Sequence, residues 1–479
     1  MGVPENGSQR LDRGLLFLGG ALFLLFFILY YPPIYAIRDE SIYLKMAVSL
    51  RADLPELFRG HLPLSGVLEH LKAQFVYSPG IPLLLIPLMK LGWQRIFFLG
   101  LFFHFAGLFF FRKLAAEFGE NSGLSALLYL FFPAFVLYSR TVMSDIPTVA
   151  IDAAAYSFYF SRNGRKEIAG ILFGLNLLMR GTNILFVIPF GAVLTWQAFF
   201  GRKMPEAFKF FAGFTPFLCL WLAFNALLWG SPFETGYGKA ASGINNFSFA
   251  YFKPNLLHYL GSLMTAYPFM LAVFLLFKPL RKPEILLSLF FTLVFFSSYY
   301  FHDRFPSHLA FVFGNRFLFP IIPFLILGYG HFLDLLRNFL PPALRKVFTV
   351  SLALLLAAGC LAIHRGHQHF LERQESLKNL LYASTEPGSV LLVTRFAAEL
   401  IQDFWGPRKA VGFEDEKSAR KVFEKASSGQ KVYWVHRLIG PKEGGPLQDP
   451  NGDGMAKSFN LQPVVHSGEL LIDLVVSEK

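Results

Sequence analysis

The stretch GLLFLGGALFLLFFILYYPPIY, Gly14–Tyr35, decides the fold class of this chain. A helix needs about 20 apolar residues to cross the hydrocarbon core of a bilayer, and this run supplies them. Arg10 and Arg13 precede the run, and no small-residue cleavage site follows it. We therefore predict a retained first membrane span whose basic N-terminal flank is cytoplasmic.

The composition indicates that lipid surrounds most of the chain. Of its 479 residues, 54% are hydrophobic, 58 are Phe and only 16% are charged, whereas soluble domains carry about 25% charged residues. The net charge is +12, but Lys and Arg form short clusters between apolar runs rather than one patch. This distribution argues against nucleic-acid binding and resembles a set of topology signals. Cys219 and Cys360 lie inside apolar runs and predict neither a disulfide nor a zinc site.

Ten further apolar runs predict a mainly α-helical, polytopic membrane protein with about eleven transmembrane helices. After Gly14–Tyr35, the predicted spans are Ile96–Phe111, Leu124–Leu137, Ile146–Phe160, Ile168–Met179, Ile184–Phe200, Phe208–Leu228, Tyr259–Phe277, Ile285–Tyr300, Phe317–Leu333 and Val347–Ile363. The run Ile81–Leu91 is too short to span comfortably, and we interpret it as re-entrant or interfacial.

The basic clusters predict an orientation for these spans. With the N-terminus inside, compact Lys and Arg clusters fall at the inner span ends, as the positive-inside rule requires. They are Arg112 and Lys113; Arg162, Arg165 and Lys166; Arg202, Lys203 and Lys209; Lys278, Arg281 and Lys282; and Arg337, Arg345 and Lys346. An odd number of crossings then puts the C-terminus outside, and we predict an integral protein of the cell inner membrane.

The composition changes near Arg365, where charged residues return and long apolar runs end. Strand-like runs at Ser389–Thr394, Lys431–His436 and Leu470–Val476, with an amphipathic helix at Ser418–Ala426, predict a small α/β domain. We therefore divide the chain into a transmembrane domain, residues 1–364, and a soluble domain on the outer face, residues 365–479.

Carboxylates at the predicted outer span ends are the first candidates for chemistry. Asp39 and Glu40 follow the first span directly, and Asp145 lies in a tight turn between two spans. Such carboxylates can act as general bases or bind a divalent metal. The alternative is structural, since Asp39 and Glu40 could begin a helix, and Ser144 or Asp145 could cap one.

Arginines and a turn motif lie on the same predicted face. Arg180 and Arg316 adjoin span ends, and His302-Asp303-Arg304 lies between spans. Arginine is suited to holding phosphate oxygens, although arginines at helix ends also extend to the interface without binding anything. The motif Tyr77-Ser78-Pro79-Gly80-Ile81-Pro82 predicts a turn at the start of the short apolar run.

The order of these motifs resembles the GT-C glycosyltransferases, in particular protein O-mannosyltransferases and bacterial aminoarabinose transferases. The resemblance covers roughly the first 335 residues. It is carried by Asp39-Glu40 with Tyr43, Tyr77 to Pro82, Tyr138-Ser139-Arg140, Ser144-Asp145-Ile146-Pro147, Arg180-Gly181-Thr182-Asn183, and Asn315-Arg316-Phe317-Leu318-Phe319-Pro320-Ile321-Ile322-Pro323.

The resemblance implies an inverting transfer of a hexosyl or pentosyl group from a polyprenyl-phosphate donor to a lipid, glycan or protein hydroxyl. It gives each candidate a role: Asp39, Asp145 and Glu40 are catalytic, Arg316, Arg304, Tyr77 and Arg180 hold the donor phosphate, and Tyr43, Arg140, His302 and Asp303 bind substrate. It assigns no metal ligands and leaves a divalent cation, Mg²⁺ or Mn²⁺, open. The alternative is a polytopic transporter or lipid flippase, although no internal repeat is evident.

Overall fold

The computed structural model describes the chain in fifteen stretches that form two compact units. They are residues 7–35, 37–63, 65–69, 77–120, 123–161, 164–201, 204–236, 247–299, 315–394, 408–412, 416–426, 429–437, 455, 458–467 and 470–478. The first unit comprises Met1–Tyr31 and Ile42–His367, and the second comprises Pro32–Ser41 and Gln368–Lys479.

Helices make up most of the described chain. They are α1 (Gly7–Leu29), α2 (Arg38–Phe58), α3 (Gly80–Met89), α4 (Phe98–Glu117), α5 (Gly123–Leu130), α6 (Pro133–Tyr138), α7 (Asp145–Tyr159), α8 (Lys166–Met179), α9 (Ile184–Gly201), α10 (Met204–Trp229), α11 (Phe249–Ala266), α12 (Met270–Leu276), α13 (Pro283–Ser298), α14 (Ile322–Phe339), α15 (Pro342–Ser384) and α16 (Glu416–Lys425). Short 3-10 turns lie at Trp93–Phe97, Gly181–Asn183, Lys278–Leu280 and Arg316–Ile321.

Six helical segments in the described part of the chain are long and apolar enough to cross a membrane. They are Leu11–Leu29, Gln94–Glu117, Gly181–Gly201, Met204–Trp229, Arg316–Phe339 and Pro342–Ser384. Their outward faces carry large apolar side chains, including Phe17, Phe102 and Phe199, whose exposure suits contact with lipid rather than water. The chain is thus an integral, mainly helical membrane protein, as predicted.

The predicted count of about eleven spans is not confirmed, because two of those runs are broken. Leu124–Leu137 is divided into α5 and α6, where Pro133 lacks the N–H that would continue α5 and begins α6 instead. Tyr259–Phe277 is divided into α11 and α12. Phe269, just before α12, has a left-handed backbone with φ 62°, which ends a helix rather than extends it.

Contacts between helix ends define the two ends of the membrane unit. Phe118 directly follows α4, Phe160 directly follows α7, and their rings pack edge to face at 5.1 Å. Lys282, just before α13, lies over the ring of Phe160 at 4.8 Å. The C-terminal ends of α4 and α7 and the start of α13 therefore lie together, and the N-terminus of α7 lies at the opposite end of the unit.

The second unit contains a five-stranded mixed sheet. Its strands are β1 (Val390–Val393), β2 (Lys409–Gly412), β3 (Val432–Arg437), β4 (Phe459–Ser467) and β5 (Leu470–Glu478), in the order β2-β1-β3-β5-β4. The pairs of β1 are parallel and those of β5 are antiparallel. Because side chains alternate along each strand, Leu391 and Tyr433 pack against Leu381 of α15, while Leu392 and Trp434 form the opposite core with α16.

Strands β1, β3 and β5 and helix α16 fall on the predicted segments, but β2 and β4 were not predicted. β2 is only four residues long. In β4, Pro463 and two irregularities of register against β5 interrupt the alternation of apolar and polar residues by which a strand is recognised in a sequence.

One carboxylate joins three strands of this sheet. Asp473 on β5 accepts from His436 Nε2 on β3 at 2.9 Å and from His466 Nε2 on β4 at 2.8 Å. Burial raises the pKa of Asp473, but the hydrogen bonds from His436 and His466 outweigh burial and hold its pKa below the ordinary value of 3.8. His436 is itself buried and stacks on Trp434, with ring centroids 3.6 Å apart.

We expect Asp473→Asn to weaken the sheet by about 1–3 kcal/mol at neutral pH, because the buried His436 loses a charged acceptor. A lowered folded-state pKa means that Asp473 stabilises the fold above the unfolded value of 3.8 and loses this effect as the pH falls through the folded value. Hydrogen exchange of β5 in the full-length protein, corrected for the intrinsic pH dependence of exchange, measures both the loss of stability and its dependence on pH. Glu424→Gln on α16 is the control, and equal acid sensitivity of wild type and Asp473→Asn would contradict the prediction.

Candidate functional site

The candidate site begins at the N-terminus of α7. Asp145 is the first residue of α7 and only 1% exposed, where its charge also suits the positive end of the helix dipole. Ser144 occupies the capping position, but its side chain makes no capping hydrogen bond. Instead its hydroxyl accepts from the Tyr43 hydroxyl at 3.1 Å. Capping therefore does not account for Ser144, which links α7 to α2.

Two predicted arginines converge on Asp145. Arg180 Nη1 donates to Asp145 Oδ1 at 2.9 Å, and Arg316 Nε lies 3.9 Å from the same oxygen. Both guanidinium groups are mostly buried, with 17% and 20% of their side chains exposed. The charges of these three groups sum to +1, and guanidinium groups suit the oxygens of an anion.

The backbone at the ends of two helices positions these arginines. Arg180 follows α8 in an extended conformation, with φ −155° and ψ 110°, while its N–H still donates to the carbonyl of Asn176. Arg316 begins the 3-10 turn that leads into α14. The ring of Phe317 lies beneath both, 5.3 Å from Arg180 Cζ and 5.2 Å from Arg316 Cζ. This shared aromatic face holds the two cations side by side despite their repulsion.

The Tyr77 motif supports the other side of the cluster. The Tyr77 and Tyr43 rings pack at 4.9 Å, and Ser78 Oγ accepts the Gly181 N–H at 3.2 Å. A Cβ at Gly80 would lie 2.6 Å from the Leu178 carbonyl oxygen, so only glycine permits this approach of α3 to the end of α8. The motif thereby fixes the chain on which Arg180 lies.

Asp39 and Glu40 lie in the first turn of α2. Glu40 is buried, and its Oε2 accepts the Ile37 N–H at 2.9 Å, as a residue that stabilises a helix start would do. Asp39 is partly exposed. The helix-start alternative thus describes Glu40, while the partly exposed Asp39 stays the candidate base of this pair.

The remaining predicted residues are Arg140, which is buried, and the segment His302 to Arg304. Arg140 is fully buried, and its Nε donates to His367 Nδ1 at 3.1 Å, so it presents no surface to a substrate in this conformation. His302, Asp303 and Arg304 lie outside the described residues.

Sequence reasoning missed two buried groups near this cluster. Asp152, two turns along α7 from Asp145, accepts from Asn176 Nδ2 at 2.6 Å. Tyr259 is fully buried, within electrostatic reach of Arg180 and Arg316, and its hydroxyl has no hydrogen-bond partner among the described residues. Asp152 could have been found as an ionisable residue inside an apolar run, which is a functional signal in membrane proteins. The position of Tyr259 depends on tertiary packing and gives no local signal.

A divalent cation finds no ligand set in the described part of the chain, where no three His, Cys, Asp or Glu side chains are grouped to hold one. The partners of Asp145 are guanidinium groups, which repel a metal ion. The described residues of this cluster thus do not fit the Mg²⁺ or Mn²⁺ that the resemblance leaves open.

The chain shares its fold with two solved structures of ArnT, which agrees with the fold that the resemblance to aminoarabinose transferases predicts. The chain is similar to ArnT from Cupriavidus metallidurans bound to undecaprenyl phosphate, with a TM-score of 0.61, 13% identity, and 97% of this chain and 98% of that chain covered. It is equally similar to the apo state of ArnT, with a TM-score of 0.60 and 14% identity over the same shares. No protein-family model and no curated protein matches the sequence.

Proposed function

We propose that this chain is a membrane glycosyltransferase that moves a sugar from a polyprenyl-phosphate donor to an acceptor hydroxyl on the outer face of the membrane, with inversion. The observation that carries the proposal is the convergence of Arg180 and Arg316 on Asp145 in a chain with the ArnT fold. The solved ArnT structure holds undecaprenyl phosphate, a lipid phosphate of the kind that the proposed donor would release.

The proposed step transfers one proton and one glycosyl group. Asp39, partly exposed at the start of α2, takes the proton of the acceptor hydroxyl. The acceptor oxygen then attacks the anomeric carbon from the face opposite the phosphate. The bond between that carbon and the phosphate oxygen breaks, and polyprenyl phosphate leaves with the electron pair. A single displacement of this kind inverts the anomeric configuration.

Arg180 and Arg316 stabilise the leaving phosphate in this proposal. Negative charge grows on the phosphate as the glycosidic bond breaks, and preorganised cations in a poorly hydrated site are most effective where charge develops. Asp145 orients both groups, because each approaches the same carboxylate oxygen. Its other oxygen, Oδ2, is buried and has no hydrogen-bond partner among the described residues.

The transporter or flippase alternative has one observation in its favour. Asp152 is a buried carboxylate within an apolar helix, and such residues often line ion or proton pathways. Its described partner Asn176 is neutral, so the pair does not form a charge relay by itself.

A transfer assay tests the proposal directly. Purified full-length protein is incubated with a panel of polyprenyl-phosphate hexoses and pentoses and with lipid, glycan and peptide acceptors. We expect one donor to yield a glycosylated product together with free polyprenyl phosphate. Movement of the intact lipid-linked sugar between leaflets, with no glycosidic bond broken in any combination, would support the flippase instead.

A further inference from the structure

The membrane unit contains a basic cleft at the end opposite Asp145. Its volume is about 550 Å³, and it lies between the start of α1, the last turns of α4 and the start of α5. Arg13 of α1 and Arg112 and Lys113 of α4 line this cleft together with the acids Asp12 and Glu120.

The depth of the cleft follows from the packing of α4 on α7. Phe110 of α4 contacts Phe158 of α7, with ring centroids 6.2 Å apart. Phe158 lies about 20 Å along α7 from Asp145 at 1.5 Å per residue. The cleft beside Phe110 is therefore at the other membrane boundary, the one that the Lys and Arg distribution predicts to be cytoplasmic.

Both acids of the cleft are engaged by α14. Asp12 is buried and accepts from Arg337 Nη1 at 2.9 and 3.0 Å through its two oxygens. Glu120 Oε2 lies 3.1 Å from His331 Nδ1. Both carboxylates thus have partners on α14, and neither forms an ion pair with Arg112 or Lys113.

The cations face outwards beside an apolar track. Arg112 and Lys113 are exposed and form no ion pair with any described residue. Lys113 Nζ lies 4.5 Å from the centre of the Phe109 ring. Phe109 and Phe102 are 55% and 65% exposed and share the face of α4 that carries Lys113, because residues four and seven apart lie on one side of a helix. The cations thus lie at the end of a lipid-facing aromatic stripe.

We infer that this cleft binds the phosphate headgroup of an anionic phospholipid in the leaflet opposite the candidate active site. Arg112 and Lys113 pair with the phosphate oxygens, and an acyl chain lies along Phe109 and Phe102. The stripe favours a lipid over a soluble phosphate, because inorganic phosphate would leave these exposed rings without a partner. Anionic lipids are also enriched at the cytoplasmic surface, where basic residues near the membrane attract them.

Native mass spectrometry of the full-length protein in neutral detergent tests this inference. Phosphatidylglycerol, phosphatidylcholine or inorganic phosphate is titrated in, and bound molecules are counted. We expect preferential retention of phosphatidylglycerol, weakened about tenfold or more in Arg112→Gln/Lys113→Gln by the loss of two cations. The matched control is Lys209→Gln/Lys278→Gln, which removes the same charge from exposed residues outside the cleft. Arg112→Lys/Lys113→Arg keeps the charge and should retain the lipid.

Three results would overturn the inference: equal weakening in the control pair, equal retention of phosphatidylcholine by the wild type, or displacement of the lipid by millimolar inorganic phosphate. The measurement involves no sugar transfer. A protein that fails to bind the lipid would leave the proposed transfer reaction unaffected. A protein without transfer activity could still bind the lipid.

Discussion

Asp39→Asn should reduce transfer by about 10²–10⁴-fold, the usual contribution of a general base. The amide cannot take the acceptor proton, whereas its size and its place in the first turn of α2 are unchanged. Single-turnover rates with a saturating donor should fall, while donor binding, measured separately, should stay within about threefold because the change leaves the phosphate cations intact.

Glu40→Gln is the matched control for this prediction. It removes the neighbouring charge but keeps an oxygen that can accept the Ile37 N–H. We expect its transfer rate to remain close to that of the wild type. Full activity of a folded Asp39→Asn variant would exclude Asp39 as the base, and equal loss in both variants would indicate a general requirement for negative charge at the start of α2.

Arg180→Ala and Arg316→Ala should each reduce transfer by about 10²–10³-fold, as the loss of one charge-stabilising donor does in other enzymes. Lysine at either position should restore part of the rate, because it supplies charge without the planar fork of donors. The reduction should be larger in the transfer rate than in donor affinity, since charge on the phosphate grows as the bond breaks. Donor titrations and single-turnover measurements separate the two.

Arg51→Ala provides the control for these substitutions, because Arg51 is exposed on α2. The arginines should also be interdependent, since both approach Asp145 Oδ1. The double variant should therefore lose less than the product of the single losses. Strictly multiplicative losses would show that Arg180 and Arg316 act at separate places.

The membrane fold was predictable because lipid imposes a simple rule on sequence. The run from Gly14 predicts α1, although the helix ends at Leu29 rather than Tyr35, since Pro32 and Pro33 cannot continue it. The same rule fails for α5 and α6, where hydropathy runs unbroken through Phe131 and Phe132 while the helix does not. The hydropathy of a segment indicates whether lipid or water surrounds it, but it does not show where the helix is interrupted.

The candidate site was only partly predictable. Asp145, Arg180 and Arg316 were identified one at a time, as charged residues at span ends. Their meeting depends on how α7, α8 and α14 pack, and no local pattern encodes it. The burial of Arg140 and the contact of Tyr43 with Ser144 are long-range features of the same kind. Asp152 differs, because its place inside the apolar run Ile146–Phe160 is a local signal that the sequence itself displays.

The shortness of α7 and α8 has a consequence for the membrane around them. At 15 and 14 residues, they extend about 22 Å, against a hydrocarbon core of about 30 Å. Asp145 begins α7 and Arg180 directly follows α8, so with the opposite helix ends at one boundary of the core they lie about 8 Å inside the other. Neighbouring helices rather than lipid enclose α7, so the protein and not the bilayer accommodates this difference in length. A donor phosphate must therefore leave the headgroup layer to reach the pair, and turnover should vary with the acyl-chain length of the host bilayer, which sets that depth.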